Sequence, residues 1–192
     1  MQAQEVLDFW YGAPGSAEQG QVRGVWFRKD PQFDAAIRAR FGPLVEQAVN
    51  GGLHEWDASG PRGVLARIIV LDQFTRNTGR DTPAAFAGDQ QALAAARQLV
   101  ASGADRELAP LERWFAYLPF MHAEDAALQE LSVELFTQLA AEDPRLEGAL
   151  DYAHRHRGVI ARFGRFPHRN PILGRASTPE EADYLRQPGS GF

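Results

Sequence analysis

The sequence predicts an all-α protein in which antiparallel helix pairs stack into a bundle or short solenoid. Three observations lead there. No segment of the 192 residues alternates apolar and polar side chains as a half-buried strand does. Apolar residues instead recur at helical spacing in one stretch after another. Those stretches are separated by short turns, several opened by proline, and such connections favour antiparallel neighbours.

Residues 4–11 (QEVLDFWY) form a short amphipathic helix closed by Gly12 and Pro14, and a polar, glycine-rich loop follows to Gln21. Trp26 and Phe27 are expected to enter the core. Asp30-Pro31 offers an N-cap with proline at the first helical position, and Phe33, Ile37, Phe41, Leu44 and Ala48 follow on one face. Gly42-Pro43 is expected to kink or split that helix. Pro61 opens a helix through Asn77 whose run IIVL resembles a buried strand, but its length argues for helix. Thr82-Pro83 begins another, alanine-rich, to Gly103. Pro110 begins a fourth that ends near Pro119. A fifth spans about 123–142 with Leu128, Leu131, Leu135, Phe136 and Leu139 in a stripe. A sixth covers 145–163 and stops at Gly164. The segment RFPHRNPILGR is irregular, Thr178-Pro179-Glu180-Glu181 is a capping box, and the tail ends on an isolated Phe192.

Length and an average apolar share (44%, with 23% charged) bound the chain to one globular domain, residues 1–192. The net charge of −5 argues against nucleic-acid or membrane-surface binding, since both select broad positive surfaces. There is no cysteine, no basic leader and no apolar run long enough to span a bilayer, so a cytoplasmic location is expected. G-x-S-x-G, Walker A, G-x-G-x-x-G and HExxH are all absent, which removes the commonest hydrolase, phosphate-loop, dinucleotide and zincin signatures.

Against this acidic background, residues 154–170 hold five arginines and three of the five histidines, with no Asp or Glu between Asp151 and Glu180. Placing residues 100° apart puts Arg157 at the centre of its helix's apolar face, with His156 at the edge and Arg155 and Arg162 outward. Asp72 falls on the apolar arc of its own helix with Arg76 one turn on, and Glu124 precedes Leu128 by one turn. A buried guanidinium must find a carboxylate, carbonyls or a bound anion. The candidates for an inward cluster are therefore Asp72, Arg76, His122, Glu124, His156 and Arg157, joined by Arg165, His168, Arg169 and Asn170. Arginines would grip a phosphate or carboxylate bidentately, with His122, His156 or His168 as acid or base and Asp72 or Glu124 orienting it. A metal reading, His122-x-Glu124 with His156 or His168, is weaker, because residues two apart on a helix diverge. No cofactor and no metal are expected.

LDQFTRN (71–77), LERWFAYLPFMHAE (111–124) and HRGVIARFGRFPHRNPILGRASTPEE (156–181), with LDFWYG and WFRKDPQFD nearer the start, resemble the mostly bacterial domain-of-unknown-function family 924. The resemblance covers essentially the whole chain. It implies an all-helical, tetratricopeptide-like fold and no reaction. It also implies a shared polar set: Asp72, Gln73, Arg76, Asn77, Glu112, Arg113, His122, Glu124, His156, Arg162, Arg165, His168, Arg169 and Asn170. The chain departs from the family pattern at Gly158, where HRD is common, and at Ala123, where a serine would cap the following helix. The expected function is binding, with acid–base chemistry as an extension, of a small anionic ligand. Asp72, Arg76, Asn77, Arg157, Arg165, Arg169 and Asn170 would bind it, and His122, Glu124, His156 and His168 would be the reactive groups. The alternative is a protein-binding helical scaffold whose polar cluster is a structural ion-pair network.

Overall fold

The computed structural model describes residues 2–191, so Phe192 lies outside the described residues. Among them there is no strand. Helix α1 (Ala3–Tyr11) buries Val6, Leu7 and Trp10. Helix α2 (Pro31–Val49) starts at Asp30, whose carboxylate accepts from the amides of Gln32 and Phe33. It runs unbroken through Pro43, so the expected split does not occur. Gly42 has no Cβ to meet the proline ring, and the carbonyl left without a partner, that of Ala39, belongs to an exposed residue that water can serve.

The next rod is α3 (Pro61–Ile68), a π-turn (Ile69–Phe74) and α4 (Thr75–Thr78), continuous in backbone. All six π-turn residues are buried. The side chains of Thr75 and Arg76 donate to the carbonyls of Leu71 (2.7 Å) and Asp72 (2.8 Å), bonds that serve acceptors in a widened turn. Gly88, the residue before α5 (Asp89–Ala101), sits hard against the same turn: a Cβ there would lie 2.1 Å from the Leu71 oxygen. Only glycine fits.

Helices α6 (Pro110–Met121), α7 (Ala126–Glu142) and α8 (Glu147–Phe163) follow with four-residue connections and pack closely, α6 on α7 and α7 on α8. Asp125 caps α7 through the Leu128 amide, so a serine at position 123 would not be the cap here. Gln129, fully buried, donates to the carbonyls of Met121 and Ala123 (2.8 Å each) and holds the end of α6 in place. Gly164 closes α8 in the left-handed region (φ 69°). A short turn, Pro167–Arg169, leads to α9 (Pro179–Leu185), whose Thr178–Glu181 capping box forms as expected.

One hydrophobic cluster extends from Val6 to Ala153 and is rich in rings: Trp10 meets Phe115 edge-on at 5.3 Å and stacks near Trp26 at 5.9 Å. Trp26 enters this core as expected. Phe27 does not: it is 55% exposed and lies flat on Trp114 at 4.8 Å. No helix among the described residues is long and apolar enough to cross a membrane.

Candidate functional site

A cleft of about 670 Å³ opens where the π-turn rod, the ends of α6 and α8 and the Pro167–Arg169 turn converge. Its more buried part carries Gln73, Arg76, His122, His156, His168 and Arg169; Trp26, Phe27, Phe86, Trp114, Leu118 and Met121 supply apolar wall. Arg28, Lys29, Arg80 and Arg145 stand around it. Each is already paired, with Asp30, Asp81, Asp34 and Asp143 respectively.

At the floor, His122 ends α6 and directs Nδ1 at Asp72 Oδ1, 2.7 Å away. Asp72 is 1% exposed, also accepts from Gln73 Nε2 (2.6 Å) and is ion-paired with the Arg76 guanidinium at 3.1 Å. Burial alone would raise its pKa; Arg76 and His122 more than offset this and hold the carboxyl well below the usual range. Asp72 is therefore ionised and can only accept, so His122 Nδ1 carries the proton and Nε2 holds the lone pair. Burial and then Arg76 lower the His122 pKa, against Asp72, which keeps the imidazole neutral at pH 7. Arg76 is held bidentately by Asp89 (2.7 and 3.1 Å).

Arg169 is the least compensated of the cations that line the cleft. It is 7% exposed, its guanidinium lies between the rings of Phe86 (4.8 Å) and Phe166 (4.5 Å), and it donates to the His122 carbonyl at 3.0 Å. Asp89 approaches only to 3.6 Å, and the buried Nε has no hydrogen-bond partner. Burial, reinforced by Arg76, pulls its pKa down to about 10. His156 donates from Nδ1 to the Tyr152 carbonyl (2.8 Å), and burial lowers its pKa to about 3, with His122 adding to the effect. Burial and Arg169 lower His168 to about 4. Both rings are neutral at pH 7.

Of the residues expected from sequence, Arg76, Asn77, His122, His156, His168 and Arg169 line the cleft, with Asp72 directly behind His122. The others do not join them. Arg157 is 39% exposed and pairs with Glu130. The buried stripe of α8 runs through Ala149, Ala153, His156 and Ile160, one position from the expected centre, so His156 takes the inward place. Glu124, Arg165 and Asn170 belong to a clasp that shapes the turn from behind. Glu124 accepts from Arg175 (2.6 and 2.9 Å) and from the Phe166 amide (2.8 Å). Arg165 is bidentate on Glu181 (2.6 and 2.8 Å), and buried Asn170 donates to Ser177 and Glu181 and accepts from Arg175. His122 and Glu124 thus diverge, and no group of three His, Asp or Glu among the described residues is placed to hold a metal ion.

Sequence reasoning did not single out Asp89, Phe86, Trp114 or Arg175. Asp89 fell inside the helix expected from Thr82-Pro83; that helix in fact starts at Asp89, after a 3-10 turn (Pro83–Phe86), and this later start brings the carboxylate to Arg76.

A family model described as "Bacterial protein of unknown function (DUF924)" matches residues 6–189. The chain belongs to this family. A solved structure of a protein of unknown function from Agrobacterium tumefaciens is similar over the whole fold, with 38% identity, a TM-score of 0.81 and 96% of each chain covered. No curated protein matches. In this member of the family the three motifs meet physically: LDQFTRN supplies Asp72, Gln73, Arg76 and Asn77, the end of LERWFAYLPFMHAE supplies His122, and FGRFPHRN supplies His168 and Arg169.

Proposed function

We propose that the cleft binds a small organic monoanion, its acid group beside Arg169, Arg76 and His122 and its apolar body along Trp114, Leu118 and Met121. The observation that carries this reading is Arg169: a buried guanidinium between two phenyl rings, with one distant carboxylate and an unsatisfied Nε, facing a largely apolar cleft. A buried cation left short of partners is costly, and a ligand acid would supply them. The charge balance argues for a single negative charge. Arg76 and Arg169 already face Asp72 and Asp89, and the cations around the cleft each have a carboxylate, so a polyphosphate would find no surplus.

The test is a thermal-shift series of monocarboxylates with aliphatic and aryl bodies alongside phosphorylated metabolites. A ligand at 100 times its Kd contributes about 2.7 kcal/mol, a rise of roughly 5–10 °C for a chain of this size. The reading fails if no carboxylate moves the midpoint, or if the shift persists undiminished in Arg169→Met.

A further inference from the structure

We propose that the cleft is the active site of a hydrolase in which His122, aligned by Asp72, takes a proton from a water molecule that attacks the carbonyl of a carboxylic ester bearing an apolar group. The inference rests on the reading of the cleft as an organic-acid site, because the acid is the product.

Four features of the floor lead to it. First, the Asp72 carboxylate holds the Nδ1 proton, so His122 presents a basic Nε2 toward a cleft that its half-buried side chain lines. Second, no serine or threonine lines the cleft among the described residues, the chain has no cysteine, and Lys29 and Asp81 are engaged with each other; the hydroxyl that lines the cleft is that of Tyr152, half exposed on α8. Water is the partner we assign to the base, and an adduct on Tyr152 would count against it. Third, Arg169 donates to the backbone carbonyl of His122 and lines the same cleft, so its guanidinium is the group we assign to the developing oxyanion. Fourth, the site's charge is conserved through the reaction. With His122 neutral, two guanidiniums face two carboxylates, and a neutral ester enters; when His122 becomes positive, the tetrahedral adduct becomes negative.

The step balances without a further reactant. One O–H bond of water breaks as the proton passes to Nε2, the C–O bond forms, and the carbonyl π pair moves to oxygen beside Arg169. The oxyanion then collapses, the bond to the leaving oxygen breaks, and the Nε2 proton goes to that oxygen. The products are an alcohol and a carboxylic acid, which ionises against Arg169 as its proton passes to solvent water.

His122 is the catalytic residue and Asp72 a positioning residue. The charged and titratable groups around the imidazole are Asp72 and Arg76 from the π-turn rod, Asp89 from α5, His156 from α8, and His168 and Arg169 from the turn.

The experiment uses 4-nitrophenyl phenylacetate and 4-nitrophenyl butyrate as substrates, with phenylacetate and butyrate as thermal-shift ligands. Turnover above buffer is expected, rising with pH along a single ionisation, falling about 10²–10⁴-fold in His122→Gln, and leaving no acylated protein by intact mass. In Asp72→Asn the rate falls and the ascending limb moves to lower pH, because the carboxylate that supported the imidazolium is gone; a purely structural role would leave the limb in place. Should His122→Gln fail to fold, the wild-type pH profile and the mass measurement still decide. No turnover while the carboxylates raise the midpoint overturns the hydrolase and leaves the acid site standing. An acyl adduct, or exchange of the α-hydrogens of phenylacetate in D₂O without ester cleavage, overturns it as well. Neither turnover nor a shift overturns both.

Discussion

Replacing Gly88 by alanine tests how the floor of the cleft is built. The new Cβ would stand 2.1 Å from the Leu71 carbonyl oxygen and 2.8 Å from its carbon, whereas real Cβ contacts essentially never fall under 3.0 Å, so backbone must separate from backbone by about 1 Å. Overpacking of this kind costs about 1–3 kcal/mol. The φ of −94° is open to alanine, so reduced freedom in the unfolded chain returns about 0.4–1 kcal/mol. A net loss of about 1–2 kcal/mol lowers the midpoint by roughly 2–8 °C at this chain length. The displacement also draws Asp89, the next residue, away from Arg76. Gly158→Ala is the matched control: it lies within α8 with nothing inside 4 Å of the new methyl, and it should stabilise by about 0.5–1 kcal/mol. Urea and thermal unfolding of the two variants provide the measurement. A Gly88→Ala midpoint equal to or above wild type would refute the claim that the π-turn and α5 are locked by this contact.

Acid should destabilise the protein well above the carboxylate range. The pKa values of His156 and His168 lie at about 3 and 4, below the ordinary 6.5, so the folded state binds fewer protons than the unfolded one; their contribution is complete above about pH 6.5 and is lost as pH falls toward those values. Between pH 7 and pH 5 each histidine accounts for at most about 2 kcal/mol, so the urea midpoint drops, and His156→Asn should flatten the dependence. Arg169→Met removes a poorly compensated buried cation and should leave the melting temperature unchanged or raised while abolishing any carboxylate-induced shift; a large drop in melting temperature would show that Arg169 is mainly structural. Glu124→Gln breaks the clasp without touching the cleft lining. It should destabilise by about 1–3 kcal/mol and speed hydrogen exchange at the Phe166 amide, and undiminished protection there would contradict the assigned bond.

Much of the fold was legible because it is local. Asp30-Pro31 and Thr178–Glu181 set helix starts through bonds within one turn, Gly164 ends α8 through its own dihedral, and the inward position of Asp72 follows from its place on an apolar arc. The same local rules failed where a distant group decides. Pro43 stays inside α2 because its solvent-facing side tolerates the lost bond, and Phe27 leaves the core because Trp114 offers it a surface ring. The division of the polar residues failed likewise. Arg169 and Arg165 are four apart in one basic stretch, yet one is buried in the cleft and the other is taken by Glu181, because the carboxylates that sort them arrive from α5 and α9.

By itself, then, the sequence determined the helical class, the helix ends set by Asp30, Gly164 and Thr178, and the three motifs that carry the polar residues, but not the start of α5, which lies at Asp89 rather than at Thr82-Pro83. Tertiary structure decided which of those residues face the cleft: ion pairing depends on distances of a few ångströms between residues tens of positions apart, and no periodicity along the chain records them.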